Sequence, residues 1–564
     1  MSSKTEPLLQ YAILSIGLNL ALSSAALAQV LPGPADVGRI QPEQKMIVPD
    51  HSQDQNATMP TLTPTVPIPE GAKSVHFTLN SVSIEGMTAF TREQMADIYA
   101  PYIGKDITLD IAYIMAGAII ERYRHAGYFL SLAYVPDQSI KNGEIVLHVV
   151  EGYVGEVELP EGVSDHRVVR GYIDRLTARS PVKSDEVERF LLQMNDLPGV
   201  SFRAVLSPLE KGEEGATKLT LVSTNKEGNG SITFDNFSSR YLGPNEVSAS
   251  YSTSLLPLQQ TTLSVLSSLP ADTLRYGTLG HTLAIAPDMT LEFNGGVTKA
   301  YPGYTLQRYD IDSRAISESA SLNYQWIRQR QENLALKLTL DSRNVNSDIL
   351  HTPLTRDNIR ALRVGASYDA SDSWHGYNIA GVTLSHGIDG LGSSQKGDLN
   401  LSRAGAIPDF DKAELSLSRL QGITNDWSLL ASASGQLASS VLYSSEQFGY
   451  GGQAFGRAYD ASDITGDRGV STSVELRYDG WGGLQPVSLQ PYTFYDIGTV
   501  WNRSIGQPKR ESGASAGSGM RFTTPWHESG NVGLAFPLTR DIVAPIYAEN
   551  KRGPRLLLQI KQDF

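Results

Sequence analysis

At 564 residues the chain is long enough for several folded units, and it has no cysteine, which excludes thiol catalysis, disulfide scaffolding and cysteine-held metals. Only 40% of its residues are hydrophobic and its mean hydropathy is −0.21, which excludes a bundle of membrane-spanning helices but not a barrel, whose strands are half polar. A net charge of −13 disfavours a nucleic-acid partner, which would select a basic face.

Leu8 to Leu27 is apolar and small and ends Ala26-Leu27-Ala28 before Gln29, a small-x-small cleavage pattern. Residues 1–28 therefore read as a secretory signal cut between Ala28 and Gln29. The region 29–48 opens Leu31-Pro-Gly-Pro and has the pattern of a short helix over about Ala35 to Lys45, with Val37 and Ile40 on one side. Five prolines between Pro49 and Pro69 make 49–74 an extended, semi-rigid linker.

Residues 75–152 read as a compact α+β unit. Phe77 to Ile84 alternates as a strand, and Thr91 with Glu93 and Gln94 starts a helix that ends near Gly104. Thr108 to His125 is a second helix with Ile111, Ile114, Met115, Ala118 and Ile119 at three-four spacing, and Gly127 lies just past its end. Strands over Tyr128–Val135 and Glu144–Val150 flank an Asn142-Gly143 turn. The same strand-helix-helix-strand-strand order repeats over 153–226. There Ser184 caps a helix with the stripe Val187, Phe190, Leu191, Met194 and Leu197, and Pro198-Gly199 ends it.

From 227 to 564 the pattern changes to short alternating strands near 231, 247, 261, 274, 289, 313, 332, 358, 376, 411, 427, 469, 488, 512, 529 and 553. Sixteen is the even number that a bacterial outer-membrane barrel requires. One connection, 440–468, is far longer than the rest. In Val470 to Asp479, period two turns Val470, Val474, Leu476 and Tyr478 one way and Ser471, Ser473, Glu475 and Arg477 the other. In Gln490 to Gly498, Gln490, Tyr492, Phe494 and Asp496 share the polar face, opposite Tyr495 and Ile497. The final run puts Leu556, Leu558, Ile560 and Phe564 on one face, with Arg555, Leu557, Gln559, Lys561 and Asp563 on the other. Lipid leaves no open sheet edge, so this run reads as the closing strand, with Leu558, Ile560 and Phe564 as its barrel signal.

This layout resembles the two-partner secretion transporters, the TpsB family of haemolysin, filamentous haemagglutinin and HecB-type secretion proteins. They share a superfamily with the barrel-assembly insertase. The resemblance rests on Leu31-Pro-Gly, Gly127-Tyr-Phe, Val150-Glu-Gly and Asn195-Asp-Leu-Pro-Gly-Val200. Its most specific match is Phe455-Gly456-Arg457-Ala458-Tyr459-Asp460 in the long connection. It implies an all-β sixteen-stranded barrel behind two α+β POTRA domains (75–152 and 153–226) and an N-terminal plug helix. It also implies that the long loop folds into the lumen and that its arginine pairs with the aspartate of a Phe-x-Asp motif on the thirteenth strand. Phe494-Tyr-Asp496 sits on that strand here. A guanidinium away from bulk water needs such a partner, so Arg457 is expected on Asp496, with Glu475 as a second partner.

The Gly449 to Gly456 run follows no strand-turn-helix pattern and does not read as a phosphate loop. No phosphate-loop, nucleophile-elbow or HExxH motif is present, so neither an enzyme nor a cofactor or metal site is expected. The resemblance implies a conduit of the Gram-negative outer membrane with its POTRA domains in the periplasm. It would recognise an unfolded cognate exoprotein there and export it without ATP. Further partners implied are outer-membrane lipid and, during biogenesis, periplasmic chaperones and the barrel-assembly machinery. The alternative is an insertase, but insertases usually carry more POTRA repeats.

Overall fold

The computed structural model describes residues 31–40, 67–160, 163, 166–209, 212–225, 228–481, 486–504, 506–541 and 552–564. The secretory signal with its Ala28–Gln29 cut, the end of the 29–48 region and most of the proline-rich linker lie outside the described residues.

Sixteen antiparallel strands close into one barrel, and the last, Arg555–Asp563, pairs with the first, Asn229–Asp235. Every one of the sixteen expected strands is present, although the last starts at Arg555 rather than near 553. Phe564 extends the seam by one exchange of backbone bonds with Gly230, at 2.7 and 2.9 Å, and its ring lies where a side chain at Gly230 would stand. Alternation decides the faces. Val470, Val474, Tyr495, Ile497 and Ile560 are exposed on the outer wall, while Ser471, Ser473, Glu475 and Asp496 are buried inside it. The sixth, seventh and eighth strands run 18, 18 and 20 residues, against the ~10 that cross a bilayer, so their hairpin stands clear of the membrane.

The two α+β repeats form three-stranded sheets in which the first strand pairs parallel with the last. In the first repeat the expected Phe77–Ile84 strand is split into His76–Thr78 and Ser81–Glu85, which belong to different sheets. Leu79, fully buried, turns the chain between them, and its backbone bonds to Lys105 and Gly104. The expected Thr91–Gly104 helix is likewise broken into three short turns, the last carrying Pro101 near its start. In the second repeat Ser184 is the first helical residue, and the Glu186 carboxylate accepts from the Lys183 amide at 3.0 Å.

The short motifs that carry the family resemblance form joints between these units. The Gly127 carbonyl accepts from Ser184 N–H at 2.8 Å, and the Gly152 carbonyl accepts from Val182 N–H at 3.1 Å, which ties the first repeat to the second. Asn195 closes its own helix onto the next strand through Phe202, at 2.7 Å. Asp196 then reaches out of the repeat to grip Arg328 of the sixth barrel strand at 2.6 and 3.0 Å. Gly199 lets the backbone approach Ser254 and Gln259, with no room for a Cβ. Asp288, in the two-residue turn after the fourth strand, accepts from Arg175 and Gln193 at 2.5 Å and donates its amide to the Tyr172 hydroxyl at 2.6 Å. Leu258, from a barrel turn, is part of the second repeat's hydrophobic core. The second repeat thus grips the rim below strands two to seven.

The expected plug helix is corrected in its described part. Gly33–Ala35 and Val37–Arg39 are two single 3₁₀ turns, separated by extended Asp36. Pro34 supplies no amide, and the Asp36 carboxylate takes the Gly38 amide at 2.8 Å, which favours a cap over a continuing helix. The lumen supplies the missing partners. Ser239 donates to the Pro34 carbonyl at 2.6 Å and Arg343 donates to that of Gly38 at 3.1 Å. Ala35 and Val37 are buried against Tyr241, Leu242, Leu274 and Val345. The segment therefore lies inside the barrel, toward the rim opposite the repeats.

Candidate functional site

The connection between the eleventh strand, Trp427–Ala438, and the twelfth, Arg468–Tyr478, folds back into the lumen. A short hairpin of Phe448–Tyr450 with Ile464–Gly466 carries it inward. Its aromatic side chains fit notches in the wall that glycine leaves open. A Cβ on Gly498 would stand 2.2 Å from the Tyr450 ring, one on Gly513 2.7 Å from it, and one on Gly469 2.0 Å from the Phe448 ring. At the tip Gly456 turns the chain in the left-handed region, φ 75°, so that both its own N–H and that of Arg457 point at one carboxylate.

That carboxylate is Asp496, fully buried on the thirteenth strand, Ser488–Trp501. Arg457 donates to it from Nε at 3.1 Å and from Nη2 at 2.9 Å, and the two backbone amides add bonds of 3.2 and 3.1 Å. Ser473 and Ser515 also donate to Asp496, at 2.7 and 3.3 Å. The other guanidinium nitrogen donates to Glu475 at 2.6 Å, and the whole group stacks over the Phe494 ring, 3.5 Å from its centroid. Cross-strand pairing places these groups together, because Ser473 lies opposite Asp496 and Glu475 opposite Phe494. Glu475 is not dedicated to the loop. Arg477 and Arg521 also donate to it, at 2.8 and 2.7 Å, so Asp496 is the more specific partner of Arg457.

The rest of the hexapeptide meets the wall on the other side of the lumen seam. The Tyr459 hydroxyl donates to the Ala514 carbonyl at 2.9 Å, and Ala458 packs into the same buried cluster as Phe494 and Leu557. Asp460 pairs with Arg555 of the closing strand at 3.1 Å, while Arg555 also donates to the carbonyls of Tyr459, Phe237 and Ser238. Phe455 is partly buried against this cluster.

Sequence reasoning missed three further anchors. At the loop's root Asp467, wholly buried, accepts from the Leu442 and Arg503 amides at 2.9 and 2.7 Å and pairs with Arg403, itself wholly buried. Arg403 comes from the 388–410 connection and also donates to the Leu442 carbonyl at 2.8 Å and to Asn502 and Gln507 at 3.2 Å. This one pair thus knits three connections over the mouth. Midway along the loop, buried Glu446 is held by Arg363 of the eighth strand and Lys412 of the tenth, both at 2.8 Å. Arg39 of the N-terminal segment donates to the Ser444 and Gln447 carbonyls of the loop at 2.6 and 2.9 Å. No local periodicity marks these residues; only Arg403 and Asp467, as charges in irregular segments between strands, could have been suspected. Among the described residues no group of three or more His, Asp or Glu is placed to hold a metal.

A closed barrel with outward apolar strands, a rim-docked α+β arm and an inward loop on a buried arginine defines a membrane pore of the POTRA-barrel class. Residues 289–522 match the family described as haemolysin secretion/activation protein ShlB/FhaC/HecB, and residues 77–152 match the ShlB-type POTRA domain. The heme/hemopexin transporter protein HuxB of Haemophilus influenzae is 25% identical over 94% of this chain and 95% of its own length. The outer membrane transporter CdiB of Dickeya dadantii is 22% identical over 83% of each. Among solved structures, CdiB from Escherichia coli superposes with a TM-score of 0.69 at 19% identity, covering 95% of this chain and all of the other. BamA from Haemophilus ducreyi, lacking POTRA domains 1–3, gives 0.53 at 11% identity over 86% of this chain and all of that one. Over residues 289–522 the barrel is that of the ShlB/FhaC/HecB family, and the chain is an outer-membrane transporter of the two-partner secretion type. The rim bearing the repeats is therefore periplasmic and the opposite mouth extracellular.

Proposed function

We propose that both repeats act as POTRA domains that take up one unfolded exoprotein in the periplasm, and that the barrel passes it outward as a conduit without catalysis or ATP. Among the described residues the three-stranded sheet of each repeat has two unpaired edges, which suits capture of an extended chain as an added strand. The described lumen holds the N-terminal segment and the loop in contact through Arg39, a resting arrangement in which both obstruct the path. Export then requires the N-terminal segment to leave and the loop to shift, with Arg457, Asp496 and Glu475 as the pair that sets the loop's position. The observation carrying this reading is the buried Arg457–Asp496 contact between a lumenal loop and the wall of a closed barrel. The name of HuxB makes a haem-capturing exoprotein the first cargo to try. Chaperones and the assembly machinery enter only in delivering the barrel itself to the membrane.

The test is secretion of the exoprotein encoded beside this chain, with wild type compared with Arg457→Ala and Asp496→Ala. Each variant is first shown to reach the outer membrane as a heat-modifiable barrel. Inserted variants that lose export support the reading; inserted variants that export normally reduce Arg457 to a packing residue. A deletion strain depleted of unrelated outer-membrane proteins would instead point to the insertase.

A further inference from the structure

Cross-strand pairing sets Arg275 of the fourth strand opposite Lys299 of the fifth, and Lys299 opposite Arg314 of the sixth. All three are exposed on the outer wall at the extracellular end. Each is the first outward side chain beyond the apolar band, past Leu279, Val297 and Ile316 in turn. The flanking strands put serines there, Ser267 beyond Val265 and Ser342 beyond Leu340, so the feature is local and not a belt. Across Asn346 the row ends at Arg356, which Asp348 neutralises. Like charges directly opposite one another destabilise a sheet, and the first three cations span only about 10 Å. Asp312 lies 4.0 Å from Lys299, the outer limit of an ion pair, and Glu318, two outward positions below Arg314, pairs with no cation among the described residues. Among those residues Arg275 donates only to the Ala271 carbonyl, at 3.3 and 2.8 Å, and Arg314 donates to no acceptor. The strand ends cannot splay to relieve the repulsion. Their inward neighbours Leu274, Ala300 and Ala315 are buried together with Ala35 and Val37 of the N-terminal segment.

Directly below the row the wall is notched. A Cβ on Gly295 would meet nothing within 4 Å, and one on Gly277 only a backbone oxygen at 4.0 Å. Pairing sets Gly277 between Val265 and Val297, and Gly295 between Leu279 and Glu318, so the two notches adjoin and form one groove between apolar ridges. Val265, Leu279 and Val297 are 48, 55 and 45% exposed along it. On the far side Ser342 stands opposite Glu318 and Asn346 opposite Arg314, which adds uncharged donors and acceptors beside the cations.

We propose that this sector is a binding site for one phosphorylated glycolipid of the outer leaflet. Its phosphate sits on Arg275, Lys299 and Arg314, an acyl chain lies in the groove of Gly277 and Gly295, and a sugar hydroxyl donates to Glu318. A phosphate monoester brings up to two negative charges and several acceptor oxygens, the complement of three cations that the sheet holds together. A soluble anion would have no use for the groove, and an acidic peptide would not meet its cations where the wall enters lipid. Glu318 and the uncharged side chains beside it favour a headgroup rich in hydroxyl donors over a plain phosphodiester.

The experiment uses the full-length barrel purified in dodecyl maltoside, with bound lipid counted by native mass spectrometry. The probes are lipid A, dephosphorylated lipid A, phosphatidylglycerol and inorganic phosphate. Lipid A should be retained, about tenfold more weakly by Arg275→Gln/Lys299→Gln/Arg314→Gln and equally well by Arg510→Gln on the far side of the barrel. Gly295→Trp, which fills the groove and leaves the cations alone, should also weaken retention. Equal retention by wild type and the triple variant overturns the site. Displacement of lipid A by equimolar inorganic phosphate, or phosphatidylglycerol and dephosphorylated lipid A held as firmly as lipid A, overturns the assignment to a phosphorylated glycolipid. Thermal melting gives an independent reading. Without lipid the triple variant should melt at or above wild type, because the repulsion is gone, whereas lipid A should raise the wild type above the variant. A triple variant that melts lower in both conditions makes the cations structural and overturns the proposal.

Discussion

The tip and the root of the lumenal loop solve the same problem in different ways. At the tip a flexible loop arginine meets a carboxylate on a rigid strand, and the strand supplies Ser473, Ser515 and Glu475 as further fixed partners. At the root Arg403 and Asp467 both belong to connections, and their neighbours Leu442, Asn502, Arg503 and Gln507 do too. Buried charge is costly at either place unless it is paired, and breaking one such pair removes about 3–5 kcal/mol. What differs is who pays when a partner is lost. The wall at the tip keeps its shape, whereas three connections at the root hold one another. The tip is therefore expected to set where the loop sits, and the root to set whether the mouth is closed.

The largest effect is expected at the tip. Asp496→Ala strips Arg457, two loop amides and two serines of their shared acceptor, and should lower export of the partner at least tenfold, about 1.4 kcal/mol or more in the loop's positioning. The smaller loss expected for Glu475→Gln, whose other donors Arg477 and Arg521 hold it in place, sharpens the contrast when secretion of the two variants is compared. At the root, Arg403→Met should leave export measurable but raise the open-channel conductance in planar bilayers, because the mouth loses its hub while the tip stays bound. Equal effects of Asp496→Ala and Arg403→Met on both readouts would erase the distinction between tip and root.

The wall itself gives a finer test. A side chain at Gly498 must displace the Tyr450 ring, so Gly498→Val should cost about 1–3 kcal/mol of overpacking and loosen the hairpin without touching any charge. The expected readout is faster protease cleavage within 448–466, with the Arg457 pairing intact; cleavage as slow as in wild type would show that the notch is not a fit.

These two regions also differ in how they could be read. Period two alone turned Glu475, Phe494 and Asp496 inward, and the hexapeptide around Arg457 marked the loop, so the tip was legible before any coordinate. Gly498, Gly513 and Gly469 looked like ordinary strand glycines, because nothing local says that a tyrosine from 48 residues away will lie on Gly498. Arg403 and Asp467 sit where the chain has no period at all, and irregular connections meet only in three dimensions. The sixteen strands were legible because each repeats one local rule. The N-terminal segment was misread as a continuing helix because its backbone bonds go to Ser239 and Arg343, far along the chain. The short family motifs were visible as strings, but their work as joints, such as Asp196 on Arg328, appears only once both units are placed.

The smallest predicted effect lies farthest from the pore, at the joint in the first repeat. Glu151 accepts from the Thr88 and Ala89 amides at 2.7 Å and from the Tyr123 hydroxyl at 2.6 Å. Burial alone would raise its carboxyl, but these bonds outweigh it and hold the group below the ordinary carboxylate range. A group depressed on folding adds stability that is fully present above its unfolded value, and that contribution disappears as pH falls through the lower, folded value. Glu151→Gln should therefore cost least in acid, once the pH lies below the folded value, and most near neutrality, by well under the effect of either buried ion pair because the site is partly solvated. Amide exchange at Thr88 and Ala89 in the full-length protein measures it. A wild-type minus variant difference that grows from pH 4 to 7 is expected, whereas a difference independent of pH would assign Glu151 a purely steric part in the joint.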